Sequence, residues 1–238
     1  MKSAAERFNE APTAERGDVG LRVAAAPPLQ SYPVTIALTL IDHPGNAADT
    51  TGQPNPCGAV AYRYRIGTYE VSAGQYTEFL NAVASNDTYS MYSTLMLSAA
   101  NGCKIQQNGA SGSYWYTVPS NCVDRPVGHV SWGDAARFAN WLHNRKPTGA
   151  QSLATTEDGA YYLNGANDDI ALSAVTRKAG AIWWIPSESE WYKAANNKND
   201  GATGNYWDYP TGSDTAPTAK SGGTAAGTTV FKDRKSVV

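Results

Sequence analysis

Three segments of the chain share a pattern that predicts how its helices begin. Each has a short run of β-forming residues, then a serine, then an amphipathic helix with Gln, Asp or Glu three residues after the serine. The pairs are Ser72 with Gln75, Ser131 with Asp134, and Ser187 with Glu190. A serine hydroxyl accepts the backbone N–H at that spacing, and the longer side chain returns to the serine N–H. The pattern therefore predicts three capped helices, each following a short extended segment.

The apolar spacing extends this prediction to the packing of the elements. Apolar residues recur along one face of the first helix, and the second helix is predicted from about 132 to 143. Alternating apolar residues at 34–40 predict a strand with one buried face. Trp191 is expected on the buried face of the third helix. Asn-Gly and Asp-Gly turns in residues 147–181 predict a long insertion with a small hairpin around 161–163.

Composition excludes two classes of function. The 19 Lys and Arg residues nearly balance 21 Asp and Glu, with no basic stripe among exposed aromatics, so nucleic acid is not an expected partner. No run approaches the ~20 apolar residues that a membrane span needs. The chain is long enough for one compact domain with a sizeable core.

The motifs resemble the formylglycine-generating enzyme family, also called the sulfatase-modifying factor domain. The resemblance is carried by residues 64–80, 126–135 and 185–191, and more weakly by 206–212, and it covers roughly 34–218. It implies an α+β fold, a loop-rich variant of the C-type lectin fold with three amphipathic helices and short antiparallel strands. We expect a poorly ordered segment at 1–31, a partial domain at 32–220 and an atypical tail at 221–238, so the domain would be truncated at its C-terminus.

The resemblance also implies a chemistry. Members of the family oxidise a cysteine of a client sulfatase to formylglycine with copper held by a Cys-x4-Cys pair, which suits Cu(I). The three cysteines of this chain do not have that spacing. We therefore expect an incomplete and inactive copy of an oxidoreductase, with no catalytic residues assigned. The alternative is a non-catalytic, lectin-like module of an exported bacterial protein that binds a client protein or a glycan.

Cysteine use depends on the compartment. No signal peptide is visible, although relatives that begin with a variant of residues 44–50 are commonly exported, which favours an exported or cell-surface protein. In that case Cys103 and Cys122, which flank a predicted surface loop or hairpin at 106–120, are expected to form a disulfide, and Cys57 stays free. Three reduced thiols are the alternative. The cysteines are too few for a zinc site.

Other polar residues have mainly structural interpretations. Asp42, Asn46 and Asp49 could supply oxygen ligands to calcium, which is possible in the family, but Asx-turn chemistry is the preferred interpretation. The histidines His43, His129 and His143 do not pair at metal-ligand spacing, and His129 is expected to be a hydrogen-bonded packing residue.

Charged residues at the helix starts are also interpreted structurally. Glu188 and Glu190 favour helix capping, because residues two apart on a helix point to different faces. Asp134 and Arg137 are interpreted as a first-turn acid and its surface partner.

Overall fold

The computed structural model describes residues 13, 20–25, 36–51, 56–219 and 228–229. The chain combines short, mostly antiparallel strands with a few helices, which is compatible with the α+β class. The helices are α1 (Ala73–Val83), α2 (Leu95–Ser98), α3 (Trp132–His143), α4 (Asp169–Ser173) and α5 (Glu188–Asn196). The strands are β1 (Ala24–Ala25), β2 (Leu38–Ile41), β3 (Tyr64–Gly67), β4 (Gln106–Asn108), β5 (Trp115–Thr117), β6 (Trp183–Trp184), β7 (Thr218–Ala219) and β8 (Thr228–Thr229).

Capping boxes begin the three longest helices in the described part of the chain. Ser72, Ser131 and Ser187 each accept a hydrogen bond from the backbone N–H three residues on, at 3.2 Å in every case. The side chains at those positions return to the serine N–H, at 2.9, 2.9 and 2.6 Å. Each box satisfies backbone donors that a helix end would otherwise leave unpaired.

Two compact units divide the described residues. Of the described residues, the larger unit contains 13, 20–25, 36–39 and 65–185, and the smaller contains 40–51, 56–64, 186–219 and 228–229. A four-stranded sheet has the strand order β2-β3-β1-β6. Its strand β1 is antiparallel to both neighbours, with Ala24 opposite Ile66 on one side and Trp184 on the other.

Strand β1 corrects one expectation from the sequence. Val23, Ala24 and Ala25 are 0% exposed and lie between two strands of the sheet, so the poorly ordered segment predicted for 1–31 is wrong in this part. Small side chains suit a strand whose two faces are both covered. Most other residues of that segment lie outside the described residues.

The core of the larger unit is a cluster of aromatic rings between α1 and α3. Phe79 lies 5.3 Å from both Phe138 and Trp141, measured between ring centroids, and Tyr76 lies 5.3 Å from Phe79. All four side chains are buried. Edge-to-face and tilted contacts of this kind add to the free energy gained by burying the rings.

The insertion and the tail differ from the sequence predictions in detail. Residues 147–181 do not form the hairpin predicted around 161–163, because Tyr161 makes only an isolated antiparallel bridge to Arg177 and a short helix, α4, intervenes. In the predicted tail at 221–238, Thr228–Thr229 forms β8 and pairs in parallel with β7, and the rest lies outside the described residues.

Within the described part of the chain, none of the helices has the length and apolar character that crossing a bilayer requires.

Candidate functional site

Helix α3 carries a polar stripe that binds the loop following it. Arg137, Asn140 and Asn144 are spaced i, i+3 and i+7, which places them on one face of the helix. The Asn140 amide donates to the backbone oxygens of Thr156 and Tyr161, at 2.7 and 2.9 Å, and Asn144 donates to Thr155 at 3.0 Å. The stripe therefore fixes the path of residues 155–166, which have little regular structure of their own.

Arg137 and Glu157 form an ion pair inside the larger unit. Two guanidinium nitrogens of Arg137 donate to the two carboxylate oxygens of Glu157, at 2.8 and 3.1 Å. The residues are 0% and 2% exposed, so the interpretation of Arg137 as a surface partner of Asp134 is wrong. The guanidinium also lies 4.1 Å from the centroid of the Tyr89 ring. Bidentate pairs of this kind combine charge with a fixed geometry.

The ion pair holds a short piece of backbone, residues 163–166, which we call the wall segment. The backbone oxygen of Glu157 accepts the N–H of Leu163 and of Asn164, at 2.8 and 3.1 Å. Its carboxylate accepts the Gly165 N–H at 3.0 Å, and Arg137 donates to the Ala166 oxygen at 2.9 Å. Hydrogen bonds to Glu157 and Arg137, both of them buried, thus hold all four residues of the wall segment.

The wall segment lines an open cavity in the larger unit. The cavity has a volume of about 630 Å³ and is formed entirely by residues 162–178. Its polar and aromatic side chains are Tyr162, Asn164, Asn167, Asp168, Thr176 and Lys178. Lys178 forms a salt bridge with Asp158, and its ammonium lies 5.5 Å from the centroid of the Tyr162 ring. The cavity is therefore a mixed surface with both charges, an aromatic ring and amides.

The three cysteines are free and buried. Cys57, Cys103 and Cys122 are 6%, 2% and 4% exposed. Burial raises the pKa of the Cys57 thiol to about 11, and the negative charges of Glu188 and Asp49 add to this effect. The disulfide between Cys103 and Cys122 is not formed in the structure and stays a prediction for an oxidising compartment. Of the two alternatives for the segment between them, a loop or a hairpin, the structure has a hairpin, formed by β4 and β5.

The histidines lie in separate environments. His129 is buried, as expected for a packing residue, but both of its ring nitrogens lack a hydrogen-bond partner within the described residues, and its backbone has φ +58°. The expectation of a hydrogen-bonded His129 is therefore wrong. In the described residues, no three His, Cys, Asp or Glu side chains lie together so that they could hold a metal ion. The copper that the resemblance implies has no fitting set of ligands there.

His143 is expected to make stability depend on pH. Burial, and then the charge of Lys178, lower its pKa below the ordinary value of 6.5. The neutral ring accepts the Ile182 N–H on Nδ1 at 3.2 Å, and protonation of this atom removes that bond. The contribution to stability is therefore present above pH 6.5 and is lost as the pH falls through the lowered folded-state pKa, with a slope of at most about 1.4 kcal/mol per pH unit.

The measurement is urea unfolding between neutral and mildly acidic pH for the wild type and for His143→Asn, whose amide oxygen can still accept the bond. The variant should lose less stability than the wild type over this range. Equal losses in the two proteins would assign the pH dependence to other groups.

In the smaller unit, polar contacts fix the loop that contains Asp42, Asn46 and Asp49. Asn46 donates to the Gly58 oxygen at 2.8 Å and to the Tyr206 hydroxyl at 2.6 Å. Asp49 accepts the Tyr192 hydroxyl at 2.6 Å, and Asp42 accepts from Arg63 at 2.5 Å. The amide of Asn46 is thus bound to protein acceptors and the two carboxylates to protein donors. Asp42 also accepts the His43 N–H at 2.7 Å and Asp49 the Thr51 N–H at 2.8 Å, which supports the turn interpretation.

Glu190 and Lys193 are the charged residues of α5 that lie in the interior. Glu190 is 1% exposed, closes the capping box and accepts the Tyr62 hydroxyl. Lys193 is 2% exposed and donates to the His43 oxygen at 2.8 Å, and burial lowers the pKa of its ammonium. Glu188 remains a first-turn acid at the start of the helix. Trp191 is only partly buried, so its predicted place on the buried face is wrong.

Comparison with protein families identifies the class of the protein. The family model of the sulfatase-modifying factor enzyme 1-like domain matches residues 41–236. The chain therefore belongs to this family, as the motifs predict. The match begins later and extends further than the range of 34–218 read from the motifs, and it includes most of the tail that was expected to be atypical. Comparisons with curated proteins and with solved structures found no match.

Proposed function

We propose that this chain is a non-catalytic member of its family, built on a lectin-like scaffold, that binds a segment of a client polypeptide. The observation that carries the proposal is the open cavity at 162–178, whose wall segment is held by the buried Arg137–Glu157 pair. Its volume of about 630 Å³ lies within the ordinary range for ligand sites. A loop surface positioned by a rigid interior is also where binding sites commonly lie.

The lining of the cavity favours a peptide with mixed side chains. Val175 supplies partly exposed apolar surface, and Tyr162 supplies an exposed ring. Asp168 and Lys178 place both signs of charge at the same cavity. A surface of this composition can contact apolar, amide and charged groups within one extended segment.

Thiol chemistry supports a non-catalytic role. The thiolate is the form of cysteine that binds copper and reacts, and burial disfavours it. At neutral pH the Cys57 group is held as a thiol, because its pKa lies at about 11. The sequence places no two of the three cysteines in the Cys-x4-Cys spacing. The oxidase is the second candidate function, which only the family match favours.

One peptide experiment tests both candidates. In the first part, the purified chain is titrated with a peptide that contains Cys-x-Pro-x-Arg, and binding is monitored by ¹⁵N NMR. In the second part, the chain and the peptide are incubated with Cu(I), oxygen and a thiol reductant, and the product is analysed by mass spectrometry. We expect shifts of the backbone amides at 162–178 and no conversion of the cysteine to formylglycine. Tyr162→Ala should weaken binding by about fivefold or more.

Tyr69→Ala is the matched control, since Tyr69 is also exposed, at 75%, and does not line the cavity. It should leave the affinity unchanged. Shifts elsewhere, or no binding, would contradict the cavity as the client site. Multiple turnovers that depend on Cys57, Cys103 or Cys122 would instead establish the oxidase.

A further inference from the structure

The hairpin of β4 and β5 presents an exposed tryptophan on its outward face. The register places Gln106 opposite Thr117 and Asn108 opposite Trp115. Because side chains alternate between the two faces of a strand, these four residues share one face. Trp115 is 54% exposed, and Gln106 and Thr117 are exposed beside it. An indole flanked by an amide and a hydroxyl therefore forms the outer surface of the hairpin.

The inward face and one edge of the hairpin are fixed to the core. Tyr116 is 3% exposed, and its hydroxyl donates to the Ala84 oxygen at 2.9 Å. The Asn81 side chain, from α1, accepts the Tyr116 N–H at 2.8 Å and donates to the Tyr116 oxygen at 2.9 Å. These bonds attach β5 to the core and occupy the backbone N–H and oxygen of Tyr116 at its centre. A peptide therefore cannot add as a further strand through these groups.

The hairpin and its surroundings in the sequence are uncharged. No Asp, Glu, Lys, Arg or His occurs between Lys104 and Asp124. The face itself consists of two amides, an indole and a hydroxyl. A charged ligand would find no partner of opposite sign among these residues, so the chemistry of the face fits a neutral, hydroxyl-rich ligand.

Two further features order the backbone of the face and leave the tryptophan accessible. The Asn108 amide donates to the Trp115 oxygen at 3.4 Å and to the Thr117 hydroxyl at 3.3 Å, which orders the face. Gly109 has φ +84°, and a Cβ at this position would lie 3.5 Å from Cδ1 of Trp115. Glycine thus permits the turn and leaves this edge of the indole without a covering side chain.

We propose that the face formed by Gln106, Asn108, Trp115 and Thr117 binds a neutral saccharide. The C–H groups of a sugar ring pack on the electron-rich face of the indole. The ring hydroxyls exchange hydrogen bonds with the Gln106 amide and the Thr117 hydroxyl, which set orientation. This site goes beyond the proposed client cavity, because it uses a different surface and a different class of ligand.

The test is an NMR titration of the full chain with cellohexaose, maltohexaose and chitohexaose, each at millimolar concentration. The indole N–H signal of Trp115 is assigned by its loss in Trp115→Phe. We expect at least one neutral hexasaccharide to shift this signal. Trp115→Ala should weaken that binding by about tenfold or more, and Trp115→Phe, which keeps an aromatic face, by less.

Three controls show whether saccharide binding depends on this face alone. Tyr69→Ala and Tyr162→Ala should leave saccharide binding unchanged. The result therefore does not depend on whether the cavity at 162–178 binds a client peptide. Thermal unfolding of Trp115→Ala should match the wild type closely, because the side chain is largely exposed. Absence of binding by all three saccharides, equal affinity of Trp115→Ala, or stronger binding of an anionic oligogalacturonate would each overturn the proposal.

Discussion

Replacing Arg137 with methionine is expected to lower the free energy of unfolding by about 3–5 kcal/mol. The substitution leaves the Glu157 carboxylate, which is 2% exposed, buried without its opposite charge. It also removes the donor to the Ala166 oxygen in the wall segment. Urea denaturation followed by circular dichroism measures the change.

A double substitution and a surface control make this test specific. Arg137→Met combined with Glu157→Gln removes both charges and keeps an acceptor for the Gly165 N–H, so it should be less destabilising than Arg137→Met alone. Arg63→Met breaks the exposed pair with Asp42 and should cost about 1 kcal/mol or less. If the double variant is as unstable as the sum of its single variants, the ion pair is not the cause.

The features that sequence predicts well are local ones. The capping serines and the bounds of α3 follow from residues within one turn of each other, and the structure has α3 at Trp132–His143, as predicted. The family assignment rests on the same short motifs. A capping box needs only a serine and a partner three residues on, so no distant contact is required to recognise it.

The features that sequence misses depend on partners far along the chain. Ala24 and Ala25 have no β-branched or aromatic side chain, and their place in the sheet comes from pairing with Arg65, Ile66 and the two tryptophans of β6. Arg137 is buried because Glu157, in an irregular loop 20 residues away, can reach it. The polar spacing of Arg137, Asn140 and Asn144 was the available signal for that contact.

The candidate sites could be predicted only in outline. The sequence indicates a variable insertion at 147–181 and a hairpin near 106–120, but a cavity depends on how loops fold back on a helix. The outward position of Trp115 depends on the register of β4 and β5, which a shift of one residue would reverse. The residue types suggest a binding surface, whereas the backbone geometry decides which side chains form it.

Trp141→Ala is expected to destabilise the larger unit by about 3–5 kcal/mol. Its side chain is 2% exposed, packs on Phe79 and Phe138, and donates its indole N–H to the Pro147 oxygen at 2.9 Å. The substitution removes the ring contacts and leaves a cavity at the centre of the aromatic cluster, which the surrounding helices can fill only partly.

Trp191→Ala provides the matched control, because it deletes the same side chain from another helix. Trp191 is only partly buried, so its loss should cost about 1–2 kcal/mol, less than that of Trp141. Thermal and urea unfolding of both variants give the comparison. Since both substitutions remove an identical group and leave identical alanines, the difference between them measures the effect of burial at the two positions. An equal or larger effect of Trp191→Ala would place the main stabilising cluster in α5 and contradict the core described between α1 and α3.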